Sequence, residues 1–467
     1  MREPSAPASF ATAAFLAAFA LVAFAPQIFN DPDTWWHLST GNWILAHHTV
    51  PTRDIFTFTF AGRSWNAHEW LSEILMSLSF RAAGWSGLHI LFGLTFGATA
   101  AIVAGSLRQR MDTIPALLAA LLGLICVTGS LLARPHLLVL PLLAFWTAML
   151  VQARSEDRAP PLWSAALMAL WASLHGSFAF GLALSGALGF EAVVESADRR
   201  QALRQWCLVL GAQAVAALLT PQGLDGLLFP FRLLVMPGIF GEGEWAPTDF
   251  AHLSPFLLTL LAMIFVLAMG KVRLRPVRAL LILGFLFLAL SHARHQMLFG
   301  VVAPLLAMPA LGASWPANTA RGYAITMRGT AIALALLLIA RFVWPATRGE
   351  DAVTPVAALA HVPVGLRQQP VLNAYDYGGY LIFQGVKVFI DGRADMYPAD
   401  FLENYDRLAA GNSDVLPAIL ARNHIVWTIF QSKSPTALAL DRMPGWHRLY
   451  GDANAVVHVK DQPPPPG

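Results

Sequence analysis

The sequence predicts an α-helical polytopic membrane protein with a small extracytoplasmic α/β domain at its C-terminus. Of its 467 residues, 56% are apolar and only 13% are charged, whereas soluble domains carry about 25% charged residues. The apolar residues form Leu- and Ala-rich runs near the ~20 residues that a helix needs to cross a hydrocarbon core. After residue 346 charged residues return, and Gly, Asp and Asn turns separate short β-prone runs, namely VLNAYDYGGYLIF, VKVFIDGR, HIVWTIF and AVVHVK.

The first domain, residues 1–346, is expected to cross the membrane about 11 times, judged by the length of its apolar runs. Both cysteines lie in apolar runs, so no disulfide framework is expected to hold a soluble part together. The first run also has features of a signal peptide, but its weak n-region and the lack of a clear A-x-A site favour an uncleaved anchor. The predicted spans are residues 9–28, 86–107, 113–132, 135–151, 161–176, 178–194, 204–220, 254–270, 277–291, 296–312 and 328–345.

Basic residues predict the orientation of these spans. On this count of crossings, alternate loops carry basic clusters such as RRQALR (199–204), and the loops between them carry few. Because cytoplasmic loops are enriched in Lys and Arg, the basic side is predicted to be cytoplasmic. The first loop (30–85), the second loop (221–254) and the C-terminal domain (347–467) are therefore expected outside the cytoplasm.

The stretch NDPDTWWHLSTGNWILAHHTVPTRDIF, residues 30–56, concentrates acidic and aromatic side chains directly after the first span. Tryptophan prefers the headgroup level of a membrane, so the loop is expected to lie at the membrane surface. Asp31 and Asp33 open the loop, and a carboxylate pair at this depth needs a cation, a proton-bearing substrate or a helix N-terminus beside it. The structural alternative is that Asp33 caps a helix beginning at Thr34 and that Asp31 is solvated.

The order of first span, outward acidic pair, aromatic-rich helix and Pro51 resembles the first external loop of the GT-C superfamily of glycosyltransferases. The resemblance is strongest to protein O-mannosyltransferases and aminoarabinose transferases. Further segments resemble a bacterial subfamily of these proteins that has no assigned substrate. These segments are WNAHEWLSEIL, ARPHLLVLPLL, LHGSFAFGLAL, TPQGLDGLLFP, EWAPTDF, SHARHQMLFG, NAYDYGGYLI and VFIDGRADMY.

The resemblance implies an inverting glycosyltransferase of the bacterial inner membrane. Its expected partners are membrane lipid, a polyprenyl-phosphate-linked sugar donor and a protein, glycan or lipid acceptor, with no nucleic acid. Asp31 or Asp33 is expected to act as general base on the acceptor hydroxyl; Asp31 is preferred, since Asp33 is better placed to cap the helix. The sequence does not define a cofactor, and a divalent cation on the same two aspartates is the candidate. A donor that comes from the membrane agrees with the lack of P-loop and G-x-G-x-x-G motifs.

A leaving phosphate needs positive charge, and the outward ends of two predicted spans supply it. Arg134 with His136 and Arg294 with His295 are the candidate phosphate-binding residues. Arginine near a bilayer is costly and is usually functional or paired. The structural alternative for both pairs is snorkelling to the interface.

Other polar residues of the outward loops are candidate substrate contacts. His68 and Glu69 are predicted either to contact a metal or the acceptor or to cap the next helix; without an H-E-x-x-H spacing, a zincin site is excluded. In the second loop, Glu242, Glu244 and Asp249 offer further carboxylates, or else they form a solvated loop.

Charged residues of the C-terminal domain also admit a catalytic interpretation, notably Asp376, Asp391, Arg393 and Asp395. The segment FIDGRAD is, however, typical of a strand that ends in an Asp-Gly turn, with Arg393 pairing with a neighbouring carboxylate. This structural interpretation is the preferred one.

Two other functions fit a multi-span protein. A transporter or flippase of a lipid-linked or anionic solute is expected to show repeats and charges near the bilayer midplane, whereas here the charges gather at the ends of spans. A catalytically inactive GT-C-like protein that scaffolds envelope assembly has the same sequence features as an enzyme, and only activity separates the two.

Overall fold

The chain divides into two compact units, each with its own core. The computed structural model describes residues 6–233, 243–318, 327–412 and 414–461. Unit 1 comprises Met1–Ile28, Arg81–Phe231 and Phe240–Ala346, and unit 2 comprises Phe29–Phe80, Arg232–Ile239 and Thr347–Gly467. The first loop and the C-terminal segment therefore belong to the same unit.

The first two thirds of the chain are helical. The helices are α1 (Ala6–Ala23), α2 (Asp33–His47), α3 (Trp70–Arg110), α4 (Thr113–Ile125), α5 (Pro135–Leu138), α6 (Leu140–Ser155), α7 (Ser164–Leu174), α8 (Phe178–Glu195), α9 (Arg199–Ala217), α10 (Gly223–Leu233), α11 (Pro255–Ala268), α12 (Pro276–Ser291), α13 (Gln296–Ser314) and α14 (Met327–Val343).

Apolar helices of spanning length indicate a membrane protein. Within the described residues, five helices are long and apolar enough to cross a membrane: Trp70–Arg110, Thr113–Ser130, Pro135–Ser155, Phe178–Glu195 and Ala293–Ser314. Shorter apolar helices occupy Ala8–Ala23, Ser164–Leu174, Pro255–Ala268 and Pro276–Ser291. The count of about 11 crossings, which rests on run length alone, stays a prediction.

Local chemistry explains where several helices begin and break. The side chain of Asp112 accepts a hydrogen bond from the backbone N–H of Thr113 at the start of α4, and Ser254 does the same for Leu257 in α11. Within α3, Ala83 and Gly84 have non-helical dihedrals, with φ of +56° at Gly84. Because glycine tolerates positive φ, α3 changes direction there without steric cost.

In unit 1, α4 and α13 cross with their backbones in direct contact. A Cβ atom added to Gly123 would lie 2.4 Å from the carbonyl oxygen of Gly300, and one added to Gly300 would lie 2.3 Å from that of Gly123. Small residues permit such close approach between apolar helices, where van der Waals packing replaces the hydrophobic effect as the source of association. Any larger side chain at either position forces the two helices apart.

Three helix ends in unit 1 are joined by a buried ion pair network. The carboxylate of Glu191 on α8 is wholly buried and accepts hydrogen bonds from Arg278 on α12 at 3.0 and 3.1 Å. Arg154 on α6 lies 3.4 Å from the same carboxylate and 3.0 Å from Glu195. A buried carboxylate needs such partners, because removing them leaves an uncompensated charge.

Unit 2 contains a four-stranded mixed sheet with the strand order β1-β2-β4-β3. Strand β1 is parallel to β2, and the other pairs are antiparallel. The core of the sheet includes the buried side chains of Trp427 and Ile429 on β2 and Val457 on β4. The elements of the C-terminal segment of unit 2 are, in chain order, α15 (Val356–Ala360), α16 (Val364–Arg367), β1 (Val371–Asn373), α17 (Gly378–Phe383), α18 (Ala399–Ala409), α19 (Val415–Arg422), β2 (Trp427–Gln431), α20 (Pro435–Leu440), β3 (Trp446–Gly451) and β4 (Ala455–Lys460).

The β-prone runs predict the strands of unit 2 only in part. HIVWTIF includes all of β2 except its last residue, and AVVHVK coincides with β4. The start of VLNAYDYGGYLIF contains β1, but its second half forms the helix α17. The run VKVFIDGR is not a strand; Val388 makes one isolated parallel bridge to Thr57. Its apolar side chains are buried all the same, because the segment packs in the interior of unit 2 without a ladder.

Candidate active site

The acidic pair of unit 2 has a different local structure from the predicted one. Helix α2 begins at Asp33, and the acceptor at its start is Asp31: Oδ1 accepts the backbone N–H of Asp33 and Oδ2 accepts the hydroxyl of Thr34, each at 3.3 Å. Asp31 is 0% exposed. The expectation that Asp31 is solvated and takes no part in capping is therefore wrong. A turn through Pro32 brings the earlier carboxylate back onto the helix start.

Asp33 is the more accessible of the two carboxylates, being only partly buried. Its Oδ1 lies so close to the backbone of Gly392 that a Cβ atom added there would be 1.9 Å away. The indole Nε1 of Trp36 would lie 3.2 Å from the same added atom. Any side chain at Gly392 would collide with Asp33, so the close approach of the Asp33 carboxylate requires a glycine at this position of the Asp-Gly turn.

The backbone of the acidic motif is held by basic and aromatic side chains of unit 2. Arg348 donates to the carbonyl oxygen of Asp31 at 3.3 Å and forms an ion pair with Asp351 at 3.1 Å. Its guanidinium lies 4.9 Å from the ring centre of Trp35, whose Nε1 donates to the hydroxyl of Thr354. Sequence reasoning missed Arg348, because nothing in the spacing links it to a motif 317 residues away.

Asp376 is a further carboxylate of unit 2 that responds to the acidic pair. Burial and, to a smaller degree, the negative charge of Asp31 raise the pKa of Asp376. The same segment contacts the motif at Gly379, where an added Cβ atom would lie 2.3 Å from the carbonyl oxygen of Pro32. The structure therefore brings Asp376 into the electrostatic field of Asp31.

Arg393 forms a buried cluster with neighbouring carboxylates, as the preferred interpretation of FIDGRAD predicted, although the segment before it is not the strand which that interpretation also expected. It donates to both oxygens of Asp391 at 2.8 and 2.6 Å and lies 2.9 Å from Asp54. The rings of Phe56 and Trp65 flank the guanidinium at 5.0 and 4.5 Å. Burial opposes the charge, but the two carboxylates outweigh it and raise the pKa of Arg393.

Asp395 lies two residues after Arg393, within the electrostatic influence of this cluster. Burial raises its pKa to about 6, although the charge of Arg393 acts in the opposite direction. Its side chain therefore titrates near neutral pH, which makes it a reporter of the local environment.

His68 and Glu69 join a histidine and carboxylate cluster at the start of α3. Glu69 lies 3.8 Å from Nε2 of His68 and 3.9 Å from Nε2 of His37. The other ring nitrogen of His37 lies 3.3 Å from the buried carboxylate of Glu73. The predicted acceptor or metal contact at His68 and Glu69 is thus joined to α2 through His37, a residue that the sequence did not single out.

Unit 1 brings the two predicted arginines together on one anion. Nη1 of Arg134 and Nη1 of Arg294 lie 3.3 and 3.0 Å from the same oxygen, Oε1 of Glu244. Burial alone would raise the pKa of Glu244, but the charges of Arg294 and Arg134 lower it below its ordinary value. The carboxylate is therefore ionised near neutral pH.

Histidine and tryptophan side chains surround this triad. His136 is buried beside Arg134, and its Nε2 hydrogen-bonds to the carbonyl oxygen of Ser130 at 2.8 Å. The guanidinium of Arg294 lies 4.2 Å from the ring centre of Trp245. His295 packs edge-on against Trp245 at 6.1 Å and is 8% exposed, and its Nδ1 has no hydrogen-bond partner.

The remaining predicted residues contribute no further ligand set. Asp249 is exposed and pairs with His252 at 3.1 Å, and Glu242 lies outside the described residues. Among the residues that the structure describes, no group of three or more His, Cys, Asp and Glu side chains fits a metal ion. The oxygens of Asp31 already accept an N–H and an O–H donor, and a cation on Asp31 and Asp33 stays a prediction.

Comparison with known proteins identifies the fold. No protein-family model and no curated protein matches the chain. Among solved structures, the oligosaccharyltransferase of Archaeoglobus fulgidus in its apo form matches with a TM-score of 0.51 and 14% identity, over 90% of this chain and 69% of that chain.

Two further structures agree with this match. The archaeal oligosaccharyltransferase AglB from Archaeoglobus fulgidus, in complex with an inhibitory peptide and a dolichol-phosphate, matches with a TM-score of 0.50 and 13% identity, over 97% of this chain and 74% of that chain. The arabinofuranosyltransferase AftD from Mycobacteria matches with a TM-score of 0.52 and 16% identity, over 97% of this chain and 41% of that chain. At such identities the likeness shows the fold, which is the GT-C glycosyltransferase fold that the sequence resemblance predicted.

Proposed function

We propose that this protein is a membrane glycosyltransferase that moves a sugar from a polyprenyl-phosphate donor to a hydroxyl group of an extracytoplasmic acceptor. The observation that carries the proposal is the convergence of Arg134 and Arg294 on one anionic oxygen, in a chain with the GT-C fold. A solved protein of that fold holds a dolichol-phosphate and a peptide, which supports a lipid-linked donor and a separate acceptor as the substrate classes.

The arginine pair is the proposed binding site for the donor phosphate. Guanidinium groups match phosphate oxygens with two parallel N–H donors each, and they keep their charge at every physiological pH. Arg294 lies two residues before the first residue of α13, where the positive end of the helix dipole adds to the potential. A cation at that end of a helix is disfavoured unless an anion accompanies it, so the pair is suited to a negatively charged group.

The proposed base is one of the two aspartates of the first loop, and their environments favour Asp33. A general base must reach the proton that it removes. Asp31 is wholly buried and both of its oxygens accept local hydrogen bonds, whereas Asp33 is partly exposed. We therefore assign proton abstraction to Asp33 and the positioning of the α2 start to Asp31, which reverses the preference derived from the sequence.

The proposed reaction is a single displacement. The acceptor hydroxyl oxygen forms a bond to the anomeric carbon while Asp33 takes its proton. The bond from that carbon to the phosphate oxygen breaks, and the polyprenyl phosphate leaves with the electron pair, its new charge stabilised by Arg134 and Arg294. Attack opposite to the leaving group inverts the anomeric centre.

The decisive experiment measures transfer in detergent, where no membrane separates two compartments. Purified protein is incubated with a radiolabelled polyprenyl-phosphate sugar extracted from cells that lack the protein, together with envelope material from the same cells as acceptor. A transferase moves label to the acceptor and releases polyprenyl phosphate, whereas a flippase or an inactive scaffold does neither. Asp249→Asn, which removes one acidic charge at an exposed position, serves as the matched control for Asp33→Asn. Unchanged donor and acceptor pools in cells with and without the protein would refute the proposal.

A further inference from the structure

We propose that Glu244 is an internal stand-in for the donor phosphate: its carboxylate occupies the arginine pair in the empty protein and is displaced when the lipid phosphate binds. This inference rests on the proposed function, because it assumes that Arg134 and Arg294 hold the phosphate. It adds a competitor within the chain that sets the affinity of the site for its donor.

The geometry of the three side chains supports an exchange. Both arginines use one Nη1 donor each, and both donate to the single oxygen Oε1. A phosphate offers more oxygens, so each guanidinium can form a two-pronged contact with it that one carboxylate oxygen does not allow. The incoming group therefore offers the two arginines more acceptor oxygens than the single Oε1 that it replaces.

The triad is accessible enough for a ligand to enter. The side chains of Arg134, Arg294 and Glu244 are 18%, 20% and 32% exposed, so the acid is the most exposed member. The two arginines and one carboxylate carry a net charge of +1 by simple addition. Once Glu244 swings outward into solvent, the pair presents the two positive charges that suit a phosphate anion.

The segment around Glu244 is anchored, so its side chain can leave while the backbone stays. The carbonyl oxygens of Trp245 and Ala246 accept hydrogen bonds from His292 at 2.8 Å and Ala293 at 3.0 Å. The Trp245 ring remains beneath the guanidinium of Arg294 whether or not the carboxylate is present. Displacement therefore requires side-chain torsions of one glutamate, and the arginine stays oriented.

A buried histidine nitrogen beside the triad points to a missing polar partner. Buried polar atoms in native proteins nearly always have a hydrogen-bond partner, so each exception calls for a ligand, a water or an ion. Nδ1 of His295 has none, although the ring is almost wholly buried and packs against Trp245. In the donor-bound state, a water molecule held by the phosphate donates a hydrogen bond to this nitrogen.

The test measures binding of two probes to the purified full chain in detergent: decaprenyl phosphate and inorganic phosphate. Glu244→Gln removes the competing charge and keeps the side-chain shape, so it is expected to bind decaprenyl phosphate about tenfold more tightly than the parent, equal to ~1.4 kcal/mol. Asp249→Asn removes an acid from the same segment without touching the arginines and is expected to change nothing. A gain with decaprenyl phosphate but not with inorganic phosphate identifies the lipid as the ligand; an equal gain with both identifies phosphate alone.

The outcomes separate this inference from the proposed function. If Arg134→Gln and Arg294→Gln lose the probe but Glu244→Gln binds no more tightly than the parent, the stand-in role is refuted and the phosphate site survives. If the arginine variants bind as the parent does, the phosphate site itself is refuted. Should Glu244→Gln fail to accumulate, Glu244→Asp replaces it: the shorter carboxylate loses contact with one arginine, and about threefold tighter binding is expected, against none if the role is structural.

Discussion

Substituting each aspartate of the first loop by asparagine separates catalysis from helix capping. Asparagine keeps the size of the side chain and one oxygen acceptor but removes the negative charge and the ability to take a proton. At Asp33 this change is expected to slow sugar transfer by about 10²–10⁴-fold, the range typical of a lost general base. Its effect on stability should be small, because Asp33 is only partly buried and Asp31 supplies the acceptors at the start of α2.

At Asp31 the same substitution is expected to act mainly on stability. The two oxygens of Asp31 accept the N–H of Asp33 and the hydroxyl of Thr34, and asparagine retains one such acceptor. Losing a cap costs ~1 kcal/mol, and a buried amide facing an imperfect partner adds a similar amount. The expected cost is therefore about 1–2 kcal/mol of unfolding free energy, with transfer lowered far less than at Asp33.

Two measurements on the same preparations decide between these roles: single-turnover transfer in detergent and thermal unfolding. Asp249→Asn controls for the loss of one acidic charge at an exposed site. If Asp31→Asn abolishes transfer at unchanged stability while Asp33→Asn remains active, the assignment drawn from burial is wrong and the buried aspartate is the base. If the double variant transfers at the parent rate, neither aspartate takes part in the chemistry.

Four further perturbations test other parts of the structure. Arg294→Lys keeps the charge but loses the planar fork, so transfer should fall by about tenfold or more while the protein accumulates normally; full activity in this variant and in Arg294→Gln would return the residue to an interfacial role. Glu191→Ala leaves buried arginines without their carboxylate and should lower the unfolding free energy by about 3–5 kcal/mol in a denaturation experiment, whereas a neutral result would remove the network from the stability of unit 1. The pKa of Asp395 is raised to about 6 in the folded state, against ~3.9 in the unfolded state, so between these pH values the folded state binds more protons than the unfolded state. The free energy of unfolding should therefore fall as the pH rises from about 4 to about 6. Asp395→Asn should flatten this pH dependence, and an unchanged slope would assign it to another group. A reporter fused after Gly467 should register outside the cytoplasm and one after Lys271 inside; the opposite result would invert the predicted topology.

Composition and motif order were enough to predict a helical membrane protein with a GT-C-like fold, because apolar run length and an acidic motif after the first span are local properties of the sequence. Local rules failed where the chain contacts a distant segment. VKVFIDGR has the composition of a strand, but its apolar side chains are buried without a ladder, with one bridge from Val388 to Thr57. The burial is satisfied by packing and not by strand pairing, and no local pattern encodes that choice.

The acidic motif shows the same limit at the scale of single residues. The sequence assigned the cap to Asp33 because the N-cap residue normally directly precedes the first helical residue. The turn at Pro32 instead directs Asp31 toward the helix start, and Arg348, 317 residues further along the chain, holds its carbonyl oxygen. A backbone turn and a long-range contact together decide which carboxylate is buried, and neither is visible in a D-P-D spacing.

The proposed phosphate site shows that residue types alone do not define a site until the partners of each residue are known. Arg134 and Arg294 were selected because arginine at the end of a membrane span is costly without a purpose, and Glu244 was only one of three acids in its loop. Their sequence separations from Glu244 are 110 and 50 residues, so no spacing rule could join them. The structure shows that both arginines bind the same carboxylate oxygen. This pairing explains why two arginines are placed at the ends of apolar helices: they are already oriented toward an anion before any substrate binds. Snorkelling would leave each arginine directed to water on its own, and it would not predict that removing Glu244's charge increases affinity for a phosphate.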